Sequence, residues 1–493
     1  MSAFDGCTSL ESADISSARS IGQRAFAGCS ALTSVSLPEG LETISIAAFS
    51  GTGLESVTIP SSVTSIGEGA FQACTALTSA VMLSSNITEL SRNLFYGCSL
   101  LSGFVVPDSV MDLGDDAIKF DRMAESDAEG HTVRIVSGTS SNGHAYKVLY
   151  NGDRLLRFSF VDSDGNEDDI TDGKLSESDF ATILNGVTGV GKYAFNSVNC
   201  IYAHYGSEFT LNIPSTVTYI GMSAFSFHKV MGHSPDYFTE IHFEDRSTPI
   251  TMGARAFNGS GECEYSITNV PTVIADSTCS ANHRIFQDVT SVTFSDSAES
   301  IPDYFIANGS FDSLEIPASV KSIGECAFLF TCSDLETVTF SGDSQLETIG
   351  NSSFSGCTAL KTLGSTEGVI TMPSGVTEIG ANAFYNCTSV TDVVLNEGLE
   401  EIGAAAFYKT AVTSMTIPAT VTSIGTSESG ATERTVLGAF ESCTSLASVQ
   451  FSAADGGASS LALLGSRTFK NCTGLTGVTM AACPSVIGEE AFY

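Results

Sequence analysis

The chain has 493 residues, of which 42% are hydrophobic, so it carries enough apolar side chains for a folded core and is not a disordered protein. The 56 Asp and Glu residues against 21 Lys and Arg give a net charge of −35, which repels nucleic acid and anionic lipid surfaces. No stretch of about 18 apolar residues is present, so no membrane insertion is predicted in this segment.

The chain begins without a basic segment and an apolar run, so no signal peptide is predicted. Its main pattern is the phrase Ile-Gly-x-x-Ala-Phe, which starts at Ile21, Ile66, Ile220, Ile323, Ile379, Ile402 and Ile487. The best-kept intervals are 22 to 24 residues, which predicts a solenoid of stacked turns rather than several globular domains. The sequence starts and stops within a turn, at Phe4 and Phe492, so we expect a fragment or an incomplete gene model.

Each turn is expected to contain a short strand. In the first complete turn, Val35 and Leu37 alternate with Ser34 and Ser36, which predicts a strand with its apolar side chains inside, ended by Pro38. The Phe of the phrase is expected to fill the core and to stack on the Phe of the next turn. Fifteen residues hold this ladder position: Phe4, Phe26, Phe49, Phe71, Phe95, Phe195, Phe225, Phe257, Phe328, Phe354, Phe384, Phe407, Phe440, Phe469 and Phe492.

Cysteines follow the ladder Phe at a fixed distance. Eight lie three residues after it and Cys332 lies four after: Cys7, Cys29, Cys74, Cys98, Cys357, Cys387, Cys443 and Cys472. Thr52 and Thr410 take this place in loops one residue shorter. This fixed spacing indicates that the cysteines are small buried groups that bond the loop backbone, rather than disulfide partners or metal ligands. The sequence has no C-x-x-C pair that would indicate zinc.

The repeated unit I-G-x-x-A-F-x-x-C-x-x-L-x-x-V-x-L-P resembles the BspA-type, or Treponema-type, leucine-rich repeat. The resemblance covers residues 1–113 and 311–493 well and residues 190–310 with decayed turns. It implies an α/β-type repeat solenoid in a curved array, with short parallel strands on one face and irregular or short helical returns. It also implies a cell-surface or secreted location and a role in adhesion. It offers no catalytic motif.

The phrase is lost between residues 114 and 189, so we expect an array at 1–113, a divergent insertion at 114–189, and an array at 190–493 that is degenerate from 190 to 310. Two apolar runs flank Asn151-Gly152, which predicts a hairpin with a type I′ turn. Ser176 and Asp179 have capping-box spacing, which predicts a short helix. An inserted subdomain and a pair of divergent turns both fit this segment.

The same segment contains the only candidate metal ligands. Asp162, Asp164, Asn166 and Asp168 alternate like the start of a calcium loop. However, Glu167 and Gly173 stand where an EF-hand requires Gly and Glu, which favours a solvated acidic turn. The motif Gly189-Val-Gly191-Lys-Tyr-Ala194 is a degenerate repeat turn rather than a dinucleotide site. No catalytic residue, cofactor or other metal site is predicted, since His228 and His233 lack a partner carboxylate at metal-site spacing.

The outward strand positions are the remaining candidates for binding a partner: Ser34, Ser36, Ser56, Thr58, Glu240, His242, Ser291, Thr293, Glu315, Thr337, Thr339, Ser414 and Thr416. They are mostly small hydroxyl side chains, which suit weak or multivalent contact and suit a merely solvated strand surface equally well. We therefore hypothesise a non-enzymatic interaction protein that binds a protein or glycan on another cell or matrix surface. The alternative is a structural spacer or stalk in a larger surface protein.

Overall fold

The computed structural model describes residues 2–114, 116–125, 133–141, 143–162, 175–195, 209–225, 239–257, 265–329, 333–426, 437–452, 460–481 and 484–493. Short strands make up most of the regular structure in these ranges. Up to residue 160 they are β1 (Ser20–Ile21), β2 (Thr43–Ile44), β3 (Ser56–Ile59), β4 (Ser65–Ile66), β5 (Ser79–Met82), β6 (Glu89–Leu90), β7 (Asp112–Leu113), β8 (Arg134–Thr139), β9 (Ala145–Asn151) and β10 (Arg154–Phe160).

From residue 189 to 316 the strands are β11 (Gly189–Val190), β12 (Thr210–Ile213), β13 (Tyr219–Ile220), β14 (Glu240–Phe243), β15 (Ile250–Met252), β16 (Tyr265–Val270), β17 (Val273–Ala275), β18 (Phe286–Gln287), β19 (Val289–Phe294), β20 (Ser300–Ile301), β21 (Ile306–Ala307) and β22 (Ser313–Ile316). The rest are β23 (Ser322–Ile323), β24 (Thr337–Phe340), β25 (Thr348–Ile349), β26 (Thr362–Leu363), β27 (Ile370–Thr371), β28 (Glu378–Ile379), β29 (Val393–Val394), β30 (Glu401–Gly403), β31 (Ser414–Ile417), β32 (Ser423–Thr426), β33 (Ser448–Phe451), β34 (Leu463–Leu464), β35 (Gly477–Met480) and β36 (Val486–Ile487).

Helices are few in the described ranges. A 3-10 turn spans Phe120–Arg122, and one α-helix, α1, spans Glu177–Ile183. Ser176 caps α1: its side chain accepts from the backbone N–H of Asp179, and the Asp179 carboxylate accepts from the backbone N–H of Ser176. The returns between strands in the described ranges are therefore mostly irregular turns.

The chain divides into two compact units. Unit 1 comprises Met1–Ser207 and Tyr219–Tyr237, and unit 2 comprises Glu208–Thr218 and Phe238–Tyr493. In unit 2, eight parallel strands follow one another in the order β20, β23, β25, β28, β30, β32, β34 and β36. These strands contain the first residue of the phrase and are called lead strands, and β1, β2 and β4 are their parallel counterparts in unit 1.

The Gly of the phrase is required by contact between successive turns. A Cβ added to Gly403 would lie 2.4 Å from the backbone nitrogen of Ala381 on the preceding turn, a distance that real Cβ atoms do not reach. Gly67 meets the nitrogen of Ile46 in the same way, at 2.3 Å. The turns therefore stack with backbone directly against backbone at this position.

A second set of strands, the face strands, occupies the other strand position of each turn. β3, β12, β22 and β31 each end at the residue before a Pro, at Pro60, Pro214, Pro317 and Pro418, which confirms the predicted strand ends. In unit 2 the face strands form three parallel sheets, β12-β14-β16-β19, β22-β24-β26-β27-β29 and β31-β33-β35.

The strand predicted around Val35 and Leu37 is wrong. The structure has no strand between residues 32 and 37, although Ser34 and Ser36 are exposed and Val35 and Leu37 pack against the core as expected. The N–H of Glu55 bonds the carbonyl of Thr33, but this segment does not continue as a ladder beside β3. The inward side chains are placed by the core without a strand.

The predicted Phe ladder is confirmed from Phe4 to Phe95 and from Phe328 to Phe492, where neighbouring rings stack. Between Phe257 and Phe328 the rings of Phe286 and Phe305 intervene, and the contacts of Phe305 with Phe286 and Phe328 are edge-to-face. In unit 1 the rings of Phe26 and Phe49 stack 5.3 Å apart at 4°, and in unit 2 those of Phe407 and Phe440 stack 5.3 Å apart at 2°. Most rungs are fully buried. Phe4 and Phe492, which we expected to be core residues, are 43% and 45% exposed because each stacks on only one other ladder ring.

The segment that lacks the phrase contributes a rung of its own. β9 and β10 form an antiparallel hairpin, and β10 then pairs in parallel with β11, so that Leu155 lies beside Val190 as one lead residue lies beside the next. Phe158 stacks on Phe195 at 5.4 Å. Its N–H bonds the carbonyl of Ala194, as other ladder Phe residues bond the following turn. The hairpin is thus joined to the array through β10.

Candidate functional site: the strand face

The outward side chains of the face strands form a surface that we call the strand face. β22 and β31 alternate strictly between exposed and buried positions, which leaves Glu315 outside between Leu314 and Ile316, and Thr416 outside between Met415 and Ile417. This period of two follows from the pleat of a strand with one side against the core. The inward side chains pack in the core and stabilise the fold, so the outward side chains can vary without disturbing it.

Parallel register brings the outward residues into rows. In unit 2, Glu240 lies beside Ser266 and Ser266 beside Ser291. Further along, Glu315 lies beside Thr339, and Thr416 beside Gln450. Of the predicted site residues on neighbouring strands, the structure pairs Glu315 on β22 with Thr339 on β24, beside Thr337. Glu240 and His242 on β14 are separated from Ser291 and Thr293 on β19 by β16, and Ser414 and Thr416 lie on β31 of another sheet.

One part of the strand face is held by its own hydrogen bonds. The Glu240 carboxylate accepts from the hydroxyl of Thr210 at 3.2 Å and from that of Thr268 at 2.5 Å, on the strands either side. The Nδ1 atom of His242 lies 3.0 Å from the same Thr268 hydroxyl. Glu240 and His242 are half-buried. Their positions are therefore fixed before any partner arrives.

The predicted residues of unit 1 lie on β3 and in the segment before it. Ser56 and Thr58 are exposed on β3, where they lie beside Ser79 and Val81 of β5. Ser34 and Ser36 are exposed in the segment without a strand. Hydroxyl side chains dominate this patch, and no charged residue stands among these outward positions.

Sequence reasoning missed a groove beside the strand face. It has a volume of about 630 Å³ and lies between β24 and β27, and its lining includes Thr339, Phe340, Asp343, Ser365, Thr371 and Pro373. We call it the β24–β27 groove. The available signal was an interval of 30 residues between Ile349 and Ile379, well above the usual 22 to 24.

The ladder thiols of Cys387 and Cys443 are structural. Cys387 and Cys443 each donate to the carbonyl of the ladder Phe one turn back, at 3.1 Å to Phe354 and 3.0 Å to Phe407. Burial raises the pKa of Cys387 to about 12 and that of Cys443 to about 11. Because a thiolate is the reactive form, these thiols are inert as nucleophiles and metal ligands at neutral pH.

The candidate metal ligands are described only in part. No group of three or more His, Cys, Asp and Glu side chains in the described part of the chain is placed to hold an ion. Of the calcium candidates, Asp162 is described, whereas Asp164, Asn166 and Asp168 lie outside the described residues, as do His228 and His233. Among the described residues, no helix is long and apolar enough to cross a membrane.

The repeat identified by these contacts is also recognised by comparison. The family model for BspA type leucine rich repeat regions matches residues 1–123, 251–369 and 368–493, in six copies. The chain belongs to this family. No curated protein sequence matches this BspA-type chain.

Solved structures of other leucine-rich repeat proteins are similar to parts of this BspA-type chain. A protein from Bacteroides ovatus is 18% identical over 89% of this chain and 82% of its own, with a TM-score of 0.36. A cell surface protein from Faecalibacterium prausnitzii is 17% identical over 90% and 84%, with a TM-score of 0.29. The leucine-rich repeat protein of T. pallidum is 25% identical over 36% and 72%, with a TM-score of 0.28. These three TM-scores are all below 0.5.

Proposed function

We propose that this BspA-type repeat chain is a non-enzymatic interaction protein whose strand face binds a protein or glycan on another cell or matrix surface. The observation that carries the proposal is the register of the outward rows in unit 2, where residues of five strands from β14 to β31 face out with no role in the core. A solenoid that stacks such strands would offer an extended surface for many weak contacts.

The fixed Glu240 is the best single anchor on this surface. Its carboxylate is already oriented by Thr210 and Thr268, so a donor from a partner would meet it without a further cost in side-chain entropy. The net charge of −35 favours neutral or basic partners and speeds their approach. A location at the cell surface or outside the cell follows from the family resemblance and belongs to the same proposal.

The test is a binding screen with variants that block the strand face. Purified full chain is passed over immobilised matrix proteins and a glycan array, and any partner is then measured against Thr293→Arg and Thr416→Arg, whose outward side chains are exposed. Glu378→Arg, on the exposed outer position of lead strand β28, is the matched control. We expect the face variants to lose at least about tenfold in affinity and the control to retain it.

Two results would overturn the proposal. One is a clean failure to bind across the panel, which would leave the spacer or stalk function as the explanation. The other is a partner whose affinity is the same for wild type and both face variants.

A further inference from the structure

The β24–β27 groove exists because one strand stops early. β24 has four residues, but its neighbour β26 pairs only with the first two, Thr337 and Val338. The chain turns away at Gly364, whose φ of +100° suits glycine. It comes back as β27, which lies on the far side of β26 from β24, with Ile370 beside Leu363. The second half of β24 therefore faces a gap in the sheet.

The rings of two apolar side chains, Phe340 and Pro373, line this gap. Phe340 occupies the inward position that Ile316 fills on the preceding strand, and Ile316 is completely buried. Phe340 is only half-buried, because the strand that would cover it has turned away. The ring of Pro373 lines the other side of the groove. Two apolar ring surfaces, both half-buried, are thus partly exposed to solvent in the groove.

The rest of the lining is polar and available. The hydroxyls of Thr339, Ser365 and Thr371 make no hydrogen bond within the described part of the chain. The Asp343 carboxylate is exposed, and no hydrogen bond or ion pair engages it among the described residues. This differs from Glu240, whose oxygens already accept two hydroxyls. The groove keeps its donors and acceptors for another molecule.

We propose that the β24–β27 groove binds a neutral saccharide of one to a few sugar units. A sugar ring has an apolar face that packs on aromatic and proline rings, and hydroxyls that both donate and accept. Asp343 would accept sugar hydroxyls, while Thr339, Ser365 and Thr371 would exchange hydrogen bonds with the others. The volume of about 630 Å³ lies within the usual range of about 300–1,000 Å³ for ligand sites.

The negative charge of the groove and of the whole chain favours neutral saccharides over acidic ones. Asp343 is the only charged side chain in the lining, and the chain as a whole carries −35, so sialylated, sulfated or uronic sugars would be repelled. This inference rests on the proposed function and deepens it, since Thr339 belongs both to the strand face and to the groove. It names the ligand as the neutral part of a surface glycan.

The experiment uses the full chain on a glycan array, followed by calorimetric titration of the best neutral oligosaccharide. We expect binding of neutral and not of acidic glycans. Asp343→Asn should weaken it by about tenfold, because the amide keeps one acceptor oxygen but loses the second acceptor and the charge that strengthens the hydrogen bonds. Ser365→Trp should block the groove. Glu378→Gln, an exposed acid outside the groove, should bind like wild type, and matching thermal midpoints would show that all variants fold.

The inference fails if no neutral glycan binds, if Asp343→Asn and Ser365→Trp bind as tightly as wild type, or if an extended peptide or an acidic glycan proves to be the occupant. These results are distinguishable from failure of the proposed function. If a protein partner no longer binds Thr293→Arg but binds Asp343→Asn like wild type, the proposed function of the strand face would be supported. Only the inference about the groove would then be wrong.

Discussion

The thiol of Cys387 donates a 3.1 Å hydrogen bond to the backbone carbonyl of Phe354, one turn earlier in the array. Cys74 and Cys472 make the same bond to Phe49 and Phe440. The Cys three residues after one ladder Phe therefore donates a hydrogen bond to the backbone carbonyl of the preceding ladder Phe. Each thiol joins two turns that the phenyl rings already hold together.

Removing such a thiol should destabilise the chain. For Cys387→Ala we expect a loss of about 0.5–1.5 kcal/mol in the free energy of unfolding, since the carbonyl of Phe354 keeps the backbone N–H of Cys357 but loses the buried thiol. Cys387→Ser keeps a donor and should cost less. Urea denaturation followed by circular dichroism measures both. Cys7→Ala, whose thiol is exposed, is the control, and an equal loss there would contradict the explanation.

The Gly of the phrase should not tolerate a methyl group. In Gly403→Ala the new Cβ meets the nitrogen of Ala381 at 2.4 Å, so the stacked turns must separate, at a cost of about 1–3 kcal/mol. Gly40→Ala is the matched control because nothing lies within 4 Å of its added Cβ. Thermal unfolding of the two variants should separate them clearly, and equal midpoints would show that the close approach is unimportant.

The residue before the Ala of the phrase adopts a left-handed conformation in turn after turn. Ala47 has φ of +51°, and Gly69 has φ of +59° at the same position of the next turn. Ala47→Gly should therefore stabilise the chain by up to about 1 kcal/mol, because a left-handed L-residue carries a steric penalty. The reverse change, Gly69→Ala, should destabilise it. The sign of the two shifts in the urea midpoint is the measurement, and shifts of the same sign would refute this account.

Asp179 should make stability depend on acid pH. Burial acts to raise its pKa, but hydrogen bonds from Ser176 and Ser141 outweigh burial and hold the pKa below its ordinary value of 3.8. The stabilisation is therefore present above that value and is lost as the pH falls through the folded-state pKa.

In Asp179→Asn this acid-dependent loss should largely vanish, and at neutral pH the cap should weaken by about 0.5–2 kcal/mol. Thermal unfolding from neutral pH to about pH 2 tests this. Glu378→Gln, an exposed carboxylate elsewhere, should leave the profile unchanged. A wild-type profile in Asp179→Asn would show that other carboxylates dominate acid unfolding.

The Phe ladder could be predicted because its sequence pattern recurs many times along the chain. A position such as Phe384 is recognised by its spacing from Ile379 and Cys387, and every further turn repeats this spacing. Phe158 was missed because the hairpin around it has the pattern of an antiparallel pair, and only pairing with β11 shows that it is a rung.

The outward positions of the strand face could be predicted from the sequence, whereas the groove could not. The outward position of Thr339 follows from alternation along a strand, which a sequence displays directly. The groove depends on where the chain leaves the sheet, and on Phe340 losing the neighbour that would cover it. A missing neighbour is a property of two distant segments, so no single segment reveals it.

The contacts between turns carry one more consequence, for the length of such an array. The ring of Phe407 touches those of Phe384 and Phe440, and the thiol of Cys443 reaches back by a single turn. Because each turn bonds chiefly to its immediate neighbours, copying or deleting one whole turn would recreate the junction it disturbs. Duplication or deletion of one repeat in the gene could therefore lengthen or shorten the array in steps of one turn while leaving its interior unchanged.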